Sequence, residues 1–430
     1  MSNQHPVLDV KDIPSPFQWL TLSLQHLFAM FGSTVLVPVL VGLSPAIALI
    51  SSGIATILFL IFTKWQVPAY LGSSFAFIAP IIAAKEAEGT GGAMIGCFMI
   101  GVVYIIVALI IKQSGYQWIM KLLPPVVVGP VIMVIGLALA PTAIGMAMNN
   151  PVGEYDLLYF SAGLVTLLST ILFSVFSKGF LGQISILAGI IVGYIYSVLI
   201  GIVDFTSVLQ ARWFEWPEFV VPFIDYEVTF STDIMLLMIP ISIVTISEHI
   251  GHQLVLSKVV GRDYIKEPGL HRSILGDGLG TMISSLIGGP PKTTYGENIG
   301  VLAITKVYSV YIILGAAIFA LILGFIGKIT ALINTIPQPV MGGVSILLFG
   351  IIASSGLRML IDNKVDFSKN RNLAIASVIL VLGIGGAFIQ VSDKFSLQGM
   401  AFAAIAGVIL NLVLPGKGKS EKDIFETQID

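Results

Sequence analysis

The sequence predicts an all-α polytopic membrane protein whose fourteen transmembrane segments form two inverted repeats of seven. Three observations lead there: a composition suited to lipid, a one-sided spread of basic residues, and two interrupted apolar segments at matching positions. Of 430 residues, 56% are hydrophobic and 11% charged, and the mean hydropathy is +0.96. A soluble domain carries roughly 25% charged residues. The net charge of −2 argues against nucleic acid as a partner. Cys97, the single cysteine, stands in an apolar run and reads as a small core hydrophobe. The opening MSNQHPVLDVKDIPSPFQ lacks the basic start and small-residue cleavage site of a signal peptide.

A spanning helix needs about 20 mostly apolar residues. In order, the candidates are 18–40, 45–63, 67–83, 93–111, 123–147, 157–177, 183–203, 234–256, 272–287, 295–305, 307–327, 337–355, 372–391 and 396–414. Segments 3 and 10 are short and are broken by Gly, Ser or Thr. With both termini cytoplasmic, the outer loops hold only Lys85, Arg212, Lys292, Lys328 and Lys394, and the inner side holds the other 17 of 22 basic residues. That is the asymmetry of the positive-inside rule. Removing one segment would invert every later loop and destroy it.

Seven segments per half is an odd number, so the second half enters the membrane from the opposite side. That is a common plan of secondary transporters. Gln25-His26 in segment 1 matches Glu248-His249 in segment 8 at an offset of 223, and Ser74 matches Glu297 at the same offset. LPPVVVGPV at 123–131 resembles IPQPVMGGV at 336–344. Irregular backbone survives in a bilayer only when it is buried in protein or lines a cavity. The paired breaks AYLGSSFAFIAP (69–80) and PKTTYGENIG (291–300) therefore point to a binding site, each leading into a half-helix with free N–H groups.

Charge inside a membrane is costly and functional by default. Segment 8 carries Glu248, His249 and His252, and segment 10 carries Glu297. Glu248 and His252 are four apart, share a helix face and can hydrogen bond. His249 points roughly 100° away from Glu248 and, with His26, reads as structural. Asp277 reads as an end-of-helix residue. Gly288 to Lys292 reads as an outer turn, with Lys292 solvated. A buried carboxylate can load a proton on one side and release it on the other. One proton falling through about 100 mV supplies roughly 2.3 kcal/mol, enough for about 50-fold accumulation of a neutral solute. The chain has no GxxxxGK[ST] sequence, which argues against ATP-driven pumping by this chain alone. Sodium coupling stays open on sequence grounds, although the Glu–His face leans towards protons.

ENIGVLAITK (297–306) resembles the signature of the nucleobase–ascorbate transporter family, with Glu297, Asn298, Gly300, Thr305 and Lys306 in its key places. QHLFAMFG in segment 1 is similar to the family's Gln-His element. EHIGH (248–252) and AYLGSSFAF (69–77) resemble its uracil branch, and the likeness runs from about residue 18 to 414. The resemblance implies uracil–proton symport without a cofactor or metal, by a protein of the bacterial cell membrane. It implies a core domain (18–112 and 234–328) moving against a gate domain (113–233 and 329–414), between cytoplasmic tails 1–17 and 415–430. It also implies short antiparallel strands in segments 3 and 10, and a homodimer through the gate domain. Carried over by residue, Glu248 and Glu297 accept from the base's N–H groups, while the backbone N–H groups of Phe75 and Gly296 donate to its carbonyls. Tyr295 walls the pocket, Ser74 borders it, and His252 holds Glu248 and joins proton coupling. Ser33, Phe349 and Asn298 are neighbours. Phe349 stands where a close relative has Tyr, which removes a hydroxyl from the core–gate contact.

The chemistry of the base agrees. Uracil is planar and neutral, with two N–H donors and two carbonyl acceptors, which carboxylates and free backbone N–H groups complement. A purine or xanthine carrier of the same fold is the alternative. An anion transporter of similar architecture fits less well, because it would place cationic or neutral groups at the breaks. A membrane enzyme fits least, since the pair Glu248–His252 has no nucleophile beside it.

Overall fold

A computed structural model describes residues 6–178, 182, 184–390 and 396–416 of the chain. Residues 1–5, Lys394 and the C-terminal stretch 417–430, with its three lysines, lie outside the described residues. The architecture is helical throughout, with short strands at a few points.

Helix α1 (Pro16–Val41) starts on a capping box. Ser15 accepts from the Gln18 N–H and Gln18 accepts from the Ser15 N–H, with Pro16 in the first turn. Gly42, in the left-handed region at φ 63°, ends it. Then follow α2 (Pro45–Phe62), strand β1 (Leu71–Ser73), a 3-10 turn (Phe75–Phe77) and α3 (Ile78–Ser114). A kink at Glu88 and Gly89, whose backbone angles are not helical, divides α3. Next come α4 (Gln117–Leu122), α5 (Pro125–Leu137), α6 (Ala140–Met148), α7 (Leu157–Phe176), α8 (Ser185–Leu199) and the short α9 (Thr206–Gln210). The second half runs α10 (Thr232–Met238), α11 (Ile241–Val260), α12 (Leu270–Leu286), β2 (Lys292–Thr294) and α13 (Gly296–Thr305). It closes with α14 (Val310–Leu323), α15 (Gly327–Asn334), α16 (Gln338–Asp362), α17 (Asn370–Ile384), β3 (Phe388–Gln390), β4 (Ser396–Gln398) and α18 (Gly399–Val413).

Among the described residues, seven helical stretches are long and apolar enough to cross a bilayer, or eight if α14 and α15, bent by 83°, are taken as one. Helices α8, α17 and α18 are apolar but shorter. This is fewer than the fourteen spans expected from the sequence; several of the expected segments are short, bent or broken helices here. Two packing groups emerge: α1, α2, α3, α12 and α14 lie against one another, as do α5, α6, α7, α16, α17 and α18. Helix α11 touches the second group through α5 and α18 and the first through α3 and α12, and it also packs on α13. Cys97 is buried in the core, as its apolar setting suggests.

β1 and β2 pair antiparallel, Leu71 with Thr294, Gly72 with Thr293 and Ser73 with Lys292. The ladder continues as Tyr295 N–H donates to Tyr70 O at 3.0 Å and Ser74 N–H to Pro291 O at 3.0 Å. A two-stranded pair inside a membrane protein has outer edges that need partners. Two threonines provide them. Thr56 Oγ1 of α2 accepts from Leu71 N–H at 2.9 Å and donates to Leu71 O at 3.3 Å. Thr281 Oγ1 of α12 accepts from Lys292 N–H at 3.0 Å and donates to Lys292 O at 3.2 Å. The same hydroxyl bracket thus closes the first residue of each strand.

The N-terminal segment crosses the end of α13. Leu8 bridges Val307, Val7 N–H donates to Lys306 O at 2.9 Å, and Tyr308 N–H donates to Leu8 O at 2.7 Å. Arg262, just past α11, meets Asp9 at 2.6 Å. This strap links the ends of the two helices that carry Glu248 and Glu297.

Candidate functional site

The crossed strands aim two helix starts into the interior. β1 leads through Ser74 to the 3-10 turn at Phe75, and β2 leads through Tyr295 to α13, whose first residue is Gly296. The first N–H groups of a helix have no intrahelical acceptor and carry the positive end of its dipole. Glu297 sits in that first turn, and its Oε1 accepts from Ser33 Oγ of α1 at 2.6 Å. Glu248 is buried on α11, and its Oε2 has no hydrogen-bond partner among the described residues. Ser74 Oγ is buried and unpartnered as well. Buried polar atoms nearly always find partners, so two such atoms beside free helix N-termini mark a place that a polar ligand can complete.

The other predicted residues fall around this point in different roles. Tyr295 is buried, and its hydroxyl donates to Ser73 O at 2.9 Å, with Thr34 Oγ1 3.4 Å away. Its ring lies against Gly72, where a Cβ would come within 2.2 Å of the ring. Phe75 and Phe349 meet edge to face, with ring centroids 5.7 Å apart at 81°. The contact between the 3-10 turn and α16 is therefore made by aromatic edges, and the hydroxyl missing at Phe349 is not needed for it. Asn298 turns away from the break. Its Nδ2 donates to His26 O at 3.1 Å and lies 3.1 Å from His26 Nδ1, tying α13 to α1.

Three sequence expectations are corrected. His252 does not hold Glu248: its Nδ1 lies 3.2 Å from Thr294 Oγ1, and its Nε2 lies 3.3 Å from where a Cβ on Gly296 would stand. Helical spacing puts the two residues on one face, but β2 passes that face and offers the histidine a hydroxyl. Asp277 is not an end-of-helix residue: it is fully buried within α12, with Oδ2 2.7 Å from His249 Nδ1. His249 Nε2 in turn contacts Ser273 Oγ at 2.9 Å, so the histidine's structural reading acquires a buried acid as its partner. Lys292 is not solvated: it is fully buried as the first residue of β2, so the outer turn stops short of it.

A cavity of about 180 Å³ opens between α11, α13 and α16. Gly296 and His252 line it, together with Lys258, Arg358, Asp362 and Asn363. Glu248, Glu297 and Phe75 are not part of its lining. The cavity therefore reaches the candidate site along its Gly296–His252 edge. Sequence reasoning missed the bracketing threonines and Thr294. Thr56 and Thr281 stand 225 residues apart, close to the repeat offset of 223, and that spacing was a signal available in the letters.

A multi-pass helical membrane protein with two broken segments paired inside it has the make-up of a membrane transporter. The chain belongs to the permease family, whose profile matches residues 17–392. This agrees with the family resemblance carried by the 297–306 motif. The chain is 68% identical to the uracil permease of Bacillus caldolyticus over 421 residues, covering 98% of each protein. It is 61% identical to the uracil permease of Bacillus subtilis (strain 168), covering 99% of each. Identity to the uracil permease of Escherichia coli (strain K12) is 46%, covering 94% of this chain and 93% of that one. Two solved structures share the fold. The transmembrane domain of the cyanobacterium bicarbonate transporter BicA matches at TM-score 0.62 and 16% identity, over 94% of this chain and 97% of that one. The murine Solute Carrier 26 family member A9 anion transporter, in the inward-facing state, matches at TM-score 0.68 and 12% identity, over 97% of this chain and 70% of that one. At such identities the likeness is one of fold alone.

Proposed function

We propose that this protein imports uracil across the bacterial cell membrane in symport with protons. The observation that carries the reading is the pair of carboxylates at the crossed breaks: Glu297 at the start of α13, steadied by Ser33, and Glu248 with an unpartnered Oε2. Carboxylates accept from a base's N–H groups, and the free N–H groups of Phe75 and Gly296 donate to its carbonyls. The uracil permeases to which the chain is similar over nearly its whole length support uracil as the cargo. In this reading Ser74 borders the base, Tyr295 backs it, and Phe75 offers a flat face. A core domain (18–112 and 234–328) carries the site past a gate domain (113–233 and 329–414), with Phe75 and Phe349 at their contact. The plan is fourteen segments in inverted repeats of seven, with cytoplasmic termini and a homodimer through the gate domain.

Glu248 and Glu297 carry the proton, and His252 acts as the coupling residue. Because His252 contacts Thr294 rather than Glu248, it links α11 to the strand that starts the binding segment. The His252→Ala variant is therefore expected to lower the uptake rate about tenfold while changing uracil affinity by less than threefold, since it makes no carboxylate contact that the base would replace. Parallel measurement of binding and initial uptake checks this, and an equal loss in both would place His252 at the base.

The reading as a whole is tested in proteoliposomes. An inward proton gradient should accelerate uptake of labelled uracil, and uracil should compete better than xanthine. A rate indifferent to the proton gradient would refute the coupling. Competition by xanthine but not uracil would favour a purine carrier of the same fold.

A further inference from the structure

Lys292 has the most unusual setting in the binding segment. It is a lysine with no exposed surface, inside a chain built for lipid, and no carboxylate stands within ion-pair distance of it among the described residues. Lysines are almost never fully buried unless paired. What surrounds its Nζ is oxygen: Ala48 O at 3.1 Å, Ser52 Oγ at 2.9 Å and Ser73 Oγ at 3.4 Å. A lysine amine donates hydrogen bonds, and here three oxygen acceptors surround it. Ala48 and Ser52 are one turn apart on α2, whereas Ser73 is the residue opposite Lys292 in the strand pair. The side chain thus crosses the ladder and nails both strands to α2.

The consequences run along the ladder towards the carboxylate. Ser73 Oγ donates to Thr34 O at 3.3 Å, and Ser73 O accepts from Tyr295 at 2.9 Å. Thr34 in turn reaches the Tyr295 hydroxyl at 3.4 Å, and its neighbour Ser33 holds Glu297 at 2.6 Å. Ser74 and Phe75 follow Ser73 directly in the chain. We infer that Lys292 is a positioning residue for the transported base: a buried amine, fixed on α2, that sets β1 and through it Ser74, the Phe75 N–H group and the Tyr295–Glu297 end of β2. The inference rests on the proposed uracil site. It adds a residue that never touches the base and that the loop-like motif GGPPK had hidden.

The test uses the purified full chain and labelled uracil. Lys292→Met keeps the length and packing and removes the hydrogen-bond donor. The Kd for uracil should rise about tenfold, as the hydrogen bonds that hold the strand pair on α2 are lost, while the melting temperature without uracil stays at or above that of the parent. Ser52→Ala should weaken binding a fewfold. Adding it to Lys292→Met should cost nothing more, because its donor is already gone. A lysine of merely structural value would do the reverse, lowering the melting temperature and leaving Kd alone, and that result overturns the inference. Should Lys292→Met fail to fold, Ser52→Ala decides by itself, and an unchanged Kd overturns the inference. Parent protein that binds no nucleobase sinks the proposed function together with this inference. Parent protein that binds uracil, beside a Lys292→Met variant that binds it equally well, sinks only the positioning role.

Discussion

Replacing Glu297 by alanine should weaken uracil binding by about 100-fold or more, to the point where no saturation is seen at accessible concentrations. Glu297 begins α13 and is the one carboxylate at the crossing that another element already orients, through Ser33 Oγ at 2.6 Å. Hydrogen bonds to a charged group contribute about 1.5–3 kcal/mol, and the cost rises when a buried partner is left unmade. Glu297→Ala removes the proposed acceptor for a base N–H and also strands the Ser33 hydroxyl, which is itself fully buried. At about 1.4 kcal/mol per tenfold, the two losses together give the stated effect. Equilibrium binding of labelled uracil to purified protein is the measurement, with the uracil-free melting temperature as a control for folding. Near-normal affinity in a folded variant would remove Glu297 from the site.

The second large effect should come from a single methyl group at Gly72. A Cβ there would stand 2.2 Å from Tyr295 Cζ and 2.6 Å from its hydroxyl oxygen. The ring has little freedom to give way, since its hydroxyl is bound to Ser73 O and Tyr295 is also the residue that caps the start of α13. Gly72 is needed for space rather than for a left-handed backbone. Overpacking of this kind costs about 1–3 kcal/mol, and here the ring can yield only by moving the helix start that carries Gly296 and Glu297. Gly72→Ala should therefore lower the melting temperature and reduce uracil affinity more than tenfold. A variant with the parent's melting temperature and affinity would show that the ring is not the wall of the site.

These expectations bear on what could be read from letters. The breaks at 69–80 and 291–300 are visible as runs of Gly, Ser, Thr and Pro inside apolar stretches, and the structure turns both into strands followed by helix starts. Glu297 is readable because a carboxylate just after such a break has few bland explanations. Its partner Ser33 could be named as a neighbour but not as a hydrogen-bond donor, because 264 residues separate the two. His252 shows the limit of helical periodicity. Spacing of four residues put it beside Glu248, but the contact went to Thr294 on a strand 42 residues away.

Taken alone, the sequence determined that this is a membrane protein, where its chain breaks inside the apolar stretches, and which acids stand at or near those breaks. These are local properties: hydropathy, the lack of a helix-compatible run, and a residue's own charge. Only the tertiary structure decided partners. It buried Lys292 against Ala48, Ser52 and Ser73, put Asp277 on His249, and closed both strands with Thr56 and Thr281. The physical reason is that a polar group inside a membrane protein must be satisfied by whatever packing brings near it. What comes near is set by how α2, α11 and α12 lie around the strand pair; apart from the repeat spacing of Thr56 and Thr281, no spacing along the chain encodes that.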